Sequence, residues 1–245
     1  QLTGKTYAGC VYSEPFQIRL RFTRFRGNLH SVAGKTKKTA HTEPWSQLPG
    51  ILQGPAQHHW QNYVQAAEAA GVRLPIDPGF RVCACRVFAI SDFVAGLCHR
   101  SPVLLADLLD SGDLLADSWP GVMGRRVVEQ LAACANEPAL HQLLRQLRQR
   151  EMLRIAWRDL AGWATLEETL RDLSELADAC IRGALDRLSV WQAKETPAPL
   201  GVNRQPLPLI VLAMGKLGAH ELNFSSDIDL IFTYPDSAVT RRRNS

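Results

Sequence analysis

Two carboxylates separated by one residue, Asp227 and Asp229, are the side chains of this 245-residue chain best suited to chemistry. They open an apolar run that ends at Tyr234. Alternate residues of a β-strand point to the same side, so a strand here would bring both carboxylates together while Ile228 and Leu230 face a core. Paired carboxylates bind hard cations such as Mg²⁺. In nucleotidyl transfer, such a metal neutralises phosphates and supports the attacking and leaving oxygens.

A glycine turn precedes the carboxylates. Gly215-Lys216-Leu217-Gly218 follows an apolar run over 207–214 and therefore lies between two predicted strands. Gly215 and Gly218 would let the backbone approach a ligand closely, and Lys216 would add positive charge. The turn has neither the Walker A nor the dinucleotide-binding spacing. Ser225 and Ser226 could bind phosphate oxygens or could cap a turn. The residues alone support a metal and nucleotide site and a solvated strand end about equally.

The part of the chain before these strands has helical periodicity. Thr165 with Glu168 forms a predicted capping box, and Asn136 begins another helix. A long apolar stripe runs from Leu166 to Leu188 at helical spacing. Helices are predicted over 57–71, 88–100, 102–109 with Ser101 as its cap, and 126–134, and two more start at 136 and at 165. We therefore predict an α+β protein: a helical domain over 56–193, a proline-rich linker over 194–206 and the start of an α/β unit over 207–245.

Two clusters of basic residues invite comparison. Residues 1–46 form a basic leader with one candidate strand at 18–22, and a solvated or non-native segment is favoured there over a phosphate-binding arm. The second cluster lies in a predicted helix and comprises Arg145, Arg148, Arg150, Arg154 and Arg158. For this cluster a solvated helix face paired with Glu151 and Asp159 is favoured over an anion-binding face.

Composition narrows the class of protein. Charges interrupt every apolar run, and the first residues do not form a signal peptide. The net charge of +4 is mild, so it does not indicate a nucleic-acid partner. Six cysteines without a Cys-x-x-Cys pair favour reduced thiols over a zinc site. We expect a cytoplasmic protein that does not enter membranes.

Three stretches resemble one family. Residues 215–235 resemble the signature of bacterial glutamine synthetase adenylyltransferase, the bifunctional enzyme that attaches and removes adenylyl groups. They read GKLGAHELNFSSDIDLIFTYP. Residues 87–109 are similar to the family's early helical region, and residues 147–181 resemble the Arg- and Glu-rich helices ahead of its catalytic core. Together the resemblance covers about residues 56–235.

This resemblance implies a nucleotidyltransferase fold of the DNA polymerase β type behind a helical region. In the family, one unit removes AMP from a tyrosine of glutamine synthetase by phosphorolysis to ADP, and a second unit attaches AMP from ATP. The helices here look like those before the removing unit. Carried over, Asp227 and Asp229 bind Mg²⁺, while Gly215 and Ser226 lie beside the nucleotide phosphates. Glutamine synthetase and the nitrogen signal protein PII are the implied partners.

The family also needs a third carboxylate on a later strand, in a segment like Val-Asp-x-Arg-Leu-Arg-Pro. The 245 residues contain no such segment. We therefore expect the front part of a longer enzyme, with little or no activity alone. Two alternatives stay open: a helical module over 56–190 that binds a protein without catalysis, and a nucleotidyltransferase acting on nucleic acid. Residues 1–46 weakly favour the latter, whereas residues 220–224 favour the glutamine synthetase enzyme.

Overall fold

The computed structural model describes residues 43–196, 200–201 and 205–234. The candidate strand at 18–22 and almost all of the basic segment 1–46 lie outside these ranges. The described part is mainly helical and ends in a two-stranded sheet, so the predicted α+β class is confirmed. A 3-10 helix, Pro44–Gln47, comes first. The other elements are α1 (Gly50–Ala69), α2 (Pro78–Ile90), α3 (Asp92–Arg100), α4 (Pro102–Asp110), α5 (Val122–Ala132), α6 (Glu137–Leu160), α7 (Leu166–Glu195), β1 (Ile210–Ala213), α8 (Gly215–Gly218) and β2 (Leu230–Thr233).

Side-chain caps fix the starts of α6 and α7 where the sequence predicts them. The side chain of Asn136 accepts from the N–H of Ala139 at 3.0 Å, and that of Thr165 accepts from the N–H of Glu168 at 3.2 Å. The predicted capping box is only half formed, because the Glu168 carboxylate binds Arg158 on α6. The start of α7 is therefore fixed by a contact within that helix, whereas the Glu168 carboxylate contacts a different helix.

The helix predicted over 88–100 is two helices. Ser91 leaves helical geometry, and its hydroxyl accepts from the N–H of Val94 at 3.3 Å, so it caps α3. Asp77 caps α2 in the same way, and Pro78 is the first residue of that helix. Within the described ranges no single helix is long and apolar enough to cross a membrane; only α2 and α3 taken together reach that length and composition, and they meet at a bend of 115°.

Two apolar cores share helix α6. The first core collects residues of α1 to α4, centred on Tyr63, Phe88 and Trp157. The second collects residues of α5, α6 and α7 together with Leu217 and Leu222 from the end of the chain. Each core covers one side of α6, so this helix holds the first four helices and the sheet-bearing end in one structure.

Buried ion pairs lie between the two cores, and they correct the expectation of a solvated arginine face. Arg154 is 5% exposed and donates to Glu151 at 2.6 Å and to Asp172 of α7 at 2.9 Å. Arg150 donates to Asp107 of α4 and to Asp113, each at 2.6 Å. Arg158, Glu151 and Asp172 are equally buried. Because their carboxylate partners lie largely on other elements, these arginines join helices. Of the five, only Arg145 and Arg148 are exposed, as expected.

Helix α7 also supplies a cap to a neighbouring helix. Its Glu175 carboxylate accepts from the N–H groups of Gly121 and Gly124 at 2.9 and 2.6 Å. These amides open α5, whose own N-cap residue has no side chain. Helix α7 therefore fixes the start of α5. Residues of α7 that follow Glu175 face the sheet-bearing end.

Candidate functional site

The two strands form an antiparallel hairpin whose register sets the site. Ala213 pairs with Leu230, and Ile210 pairs with Thr233. The N–H of Met214 donates to the carbonyl oxygen of Asp229 at 2.9 Å, which extends the ladder by one position. Because Met214 directly precedes Gly215, this bond places the glycine turn beside Asp229. The backbone thus brings the glycine turn and the second carboxylate residue close together.

The glycine turn is a single helical turn, α8, and each of its glycines has a defined role. Gly215 has φ of +56°, a left-handed conformation that glycine adopts without strain. Gly218 packs so closely on the carbonyl of Ala213 that a Cβ would overlap that oxygen. Gly218 therefore serves close packing of α8 on β1, whereas Gly215 and the exposed Lys216 remain open to solvent.

A Schellman motif ends the turn at His220. The N–H of Glu221 donates to the carbonyl of Lys216 at 2.8 Å, and that of His220 donates to Leu217 at 3.0 Å. His220 takes the left-handed position with φ of +57°, where glycine is the usual residue. After His220 the chain reverses direction toward the carboxylates. His220 itself is strained, because a residue with a Cβ occupies a left-handed position.

Ser225 and Ser226, predicted as phosphate ligands or turn caps, both contact Asn223. The hydroxyl of Ser226 donates to the Asn223 amide oxygen at 2.6 Å, and that of Ser225 lies 3.4 Å from the same oxygen. The N–H of Ser226 also donates to the carbonyl of Asn223. The serines thus close a turn before the carboxylates. Ser225 is exposed and Ser226 half-buried, and their role toward a nucleotide stays a prediction.

The carboxylates lie just outside the strand that was expected to carry them. Strand β2 begins at Leu230, so Asp227 and Asp229 belong to the irregular segment before it. Leu230 packs against the second core, as expected, but Ile228 is 42% exposed rather than buried. The strand starts later than expected because the paired register ends at Ala213 with Leu230, and only the single bond from Met214 reaches Asp229.

Asp227 and Asp229 keep their oxygens available. Both are exposed, and neither side chain forms a hydrogen bond or an ion pair with another described residue. No group of three or more His, Cys, Asp or Glu side chains in the described ranges is placed to hold a metal. Mg²⁺ is commonly bound by one or two carboxylates plus substrate phosphates and water, so the donor set fits that ion when a nucleotide is present.

Helix α7 supports the segment between the turn and the carboxylates. We name residues 219–229 the connector. Leu217 just before it and Leu222 within it are 2% and 6% exposed and belong to the second core. Ser174 of α7 is completely buried, and its hydroxyl accepts from the N–H of Leu222 at 3.1 Å. The sequence analysis did not identify Ser174; its position within an apolar stripe is the one signal that could have done so.

A groove of about 940 Å³ separates the C-terminal half of α7 from the hairpin. Leu230 and Ala213 line it from the sheet, and Asp178 lines it from the helix. Burial, together with Glu175, raises the pKa of Asp178 against the opposing charges of His220 and Arg182. Neither Asp227 nor Asp229 lines this groove, so it is separate from the candidate metal site.

Comparison with known proteins identifies relatives of this chain. The family model described as Glutamate-ammonia ligase adenylyltransferase matches residues 83–245, which include the two long helices, the glycine turn and both carboxylates. A relative from Nitrosococcus oceani is 44% identical over 196 residues, 80% of this chain and 20% of the relative. One from Pseudomonas aeruginosa is 47% identical over 156 residues, 63% of this chain and 16% of the relative. Both are named bifunctional glutamine synthetase adenylyltransferase/adenylyl-removing enzyme.

The chain spans about a fifth of the length of these curated relatives. The matched region contains the parts on which the candidate site depends: α7, the glycine turn, the connector and β2. On this evidence the chain belongs to the Glutamate-ammonia ligase adenylyltransferase family.

Proposed function

We propose that this chain supplies the helical support and the first two metal-binding carboxylates of a Mg²⁺-dependent nucleotidyl-transfer site that acts on glutamine synthetase. One observation carries the proposal: the bond from Met214 to Asp229 brings the glycine turn and the carboxylates together in a chain of this family. The relatives are named for both addition and removal of adenylyl groups. The helices before the site favour the removing reaction for this unit.

The proposed reaction is phosphorolysis of adenylyl-tyrosine. An oxygen of inorganic phosphate attacks the phosphorus of the adenylyl group, the bond from phosphorus to the tyrosine oxygen breaks, and the products are ADP and tyrosine, whose oxygen takes up a proton. Asp227 and Asp229 hold Mg²⁺, which offsets the negative charge that gathers on the phosphates. Gly215, Lys216, Ser225 and Ser226 bind the nucleotide phosphates, with Lys216 contributing a cation.

Further parts of the enzyme complete the site in this proposal. A third carboxylate, outside these 245 residues, provides the remaining metal ligand, so the chain alone has little activity. In the complete enzyme a second unit adds AMP from ATP, and PII sets the balance between the two reactions in the cytoplasm. The relatives are about four times as long as this chain, which leaves ample length for these parts.

Release of ADP tests the proposal directly. The longest native polypeptide that contains this sequence is incubated with adenylylated glutamine synthetase, phosphate and Mg²⁺, and ADP is measured over time. Asp227→Asn and Asp229→Asn should each lower the rate by at least about a hundredfold, because the metal loses a ligand. Asp110→Asn removes an exposed carboxylate of α4 and serves as the matched control. Unchanged rates in the Asp227 and Asp229 variants would overturn the proposal.

Two alternative functions give different outcomes in the same experiment. A binding module without catalysis would release no ADP from any polypeptide, yet the helical region would still bind glutamine synthetase or PII. A nucleotidyltransferase for nucleic acid would transfer label from ATP to RNA and leave glutamine synthetase unchanged. The 245-residue chain, assayed in parallel, tests whether the third carboxylate is needed: activity equal to the long polypeptide would show that it is not.

A further inference from the structure

We infer that Ser174 is a positioning residue for the carboxylates, although it lies in a helix and touches no substrate. This inference rests on the proposed function, because it assigns Ser174 to the same reaction. Ser174 lies 48 residues before Leu222, to which it binds. It reaches the site through the connector that joins the glycine turn to Asp227 and Asp229.

The Ser174 hydroxyl has two partners and no room for others. Its oxygen accepts from the N–H of Leu222 at 3.1 Å, and its proton goes to the carbonyl of Leu170 at 2.8 Å, one turn earlier in α7. The residue is completely buried. A buried backbone N–H needs a partner, and Ser174 supplies the one that the fold offers to Leu222.

This bond holds the connector to the helical region at one point. Among the described residues, the other hydrogen bonds that leave the connector run to α8 or to Met214, so they are internal to the sheet-bearing end. Leu217 and Leu222 bury their side chains in the second core on either side of His220. Helix α7 thereby fixes the place from which the connector runs to Asp227.

Loss of the hydroxyl would release the connector without unfolding the cores. The N–H of Leu222 would be left unpaired in an apolar surrounding, and the connector would move to find water. Displacement of a metal-binding carboxylate by about 1 Å can lower catalysis by up to about a hundredfold. Loss of the Ser174 hydroxyl should therefore change the geometry of the site while the two cores stay folded.

Thr169 provides the matched control. It is another buried hydroxyl of α7, 4% exposed, and it donates to Asp159 of α6 at 3.0 Å. It has no contact with the connector among its described hydrogen bonds. Thr169→Val removes a buried hydroxyl bond from the same helix, so it reproduces the loss of stability but not the loss of the tether.

The experiment compares Ser174→Ala and Thr169→Val in the longest native polypeptide that contains this sequence. ADP release is measured against Mg²⁺ concentration, with rates corrected for the folded fraction. Ser174→Ala should lower kcat at least about tenfold and raise the Mg²⁺ concentration for half-maximal rate, with KM for adenylylated glutamine synthetase unchanged. Thr169→Val should leave both unchanged.

A second readout does not need activity. In the 245-residue chain, Ser174→Ala should speed amide hydrogen exchange at Leu222 by at least about tenfold, while Thr169→Val should not. If Ser174→Ala does not fold, Ser174→Cys replaces it, since sulfur is a weak acceptor of similar size. Equal kinetic losses in the Ser174 and Thr169 variants, or an unchanged Mg²⁺ requirement in a folded Ser174 variant, would overturn the inference. Failure of the proposed function would give a different result, namely full ADP release by the Asp227→Asn variant.

Discussion

Met214 and Asp229 are joined by a hydrogen bond from the Met214 N–H to the Asp229 carbonyl, 2.9 Å long, at the end of the hairpin where the connecting segment leaves β1 and returns to β2. This bond lies beyond the last strand pair, Ala213 with Leu230. It sets the distance between a left-handed glycine and an exposed carboxylate. Substitutions near this bond should therefore report on the site through the backbone.

Gly218→Ala should lower the free energy of unfolding by about 1–3 kcal/mol, because the new methyl group would overlap the backbone carbonyl of Ala213. Chemical denaturation with circular dichroism measures the change. Gly50→Ala, at the open first position of α1, is the control and should change stability by no more than about 1 kcal/mol. A Gly218 variant as stable as the parent would contradict the close packing of α8 on β1.

His220→Gly should stabilise the protein by about 0.5–1 kcal/mol, since glycine accepts the φ of +57° without the strain that a Cβ causes. Ala219→Gly, one residue earlier in a right-handed conformation, should instead destabilise by about 0.5–1 kcal/mol. Thermal unfolding of the two variants measures both changes. A lower melting temperature for His220→Gly would show that the imidazole contributes more than its backbone strain costs.

Arg154→Met should lower the free energy of unfolding by about 1–3 kcal/mol, because the buried carboxylates of Glu151 and Asp172 lose their shared cation and keep only Arg150 and Arg171. Arg145→Met on the exposed face of α6 should change it by less than about 0.5 kcal/mol. Denaturant titration distinguishes the two. Similar small effects in both variants would mean that the remaining arginines are sufficient for the two buried carboxylates.

The ion pairs of Asp113 predict that the stability of the protein depends on pH. Burial alone would raise its pKa, but hydrogen bonds and charges from Arg150 and Arg126 prevail and lower it. A carboxyl whose pKa is lower in the folded state contributes its full stabilisation of the fold when the pH is above its unfolded pKa of about 3.9. This contribution is lost as the pH falls through the folded pKa. Asp113→Asn should therefore destabilise at pH 7, with a smaller difference near pH 3.

Unfolding curves at pH 7 and at lower pH test that sign. Asp110→Asn, an exposed carboxylate with no described partner, should show no difference between the two conditions. A deficit in Asp113→Asn that grows as the pH falls would contradict the assignment of Arg150 and Arg126 as the cause.

Local signals carried most of what could be predicted. Asn136 and Thr165 cap their own helices, so their effect is visible within three residues of sequence. The spacing of Asp227 and Asp229 predicts a pair of carboxylates at the site, and the two apolar runs predict the strands β1 and β2. The break at Ser91 was missed because an apolar stripe continues across it; the Ser-Asp pair was the available signal.

Tertiary pairing explains the remaining differences. Leu166 and Leu188, the ends of the predicted stripe, are 66% and 38% exposed, whereas Asp172 and Ser174 within it are buried. Apolar periodicity cannot show that Asp172 meets Arg154 of another helix, or that Ser174 meets an amide 48 residues later. Such contacts depend on how helices pack, and no spacing along one helix encodes them.

Helix α6 has a consequence for how the molecule unfolds. Leu153 and Ile155 are two residues apart, yet the first is buried in one core and the second in the other. Fraying of this helix would expose both apolar cores together, so neither can melt while the other stays intact. The helical region and the sheet-bearing end should then lose structure in one cooperative transition.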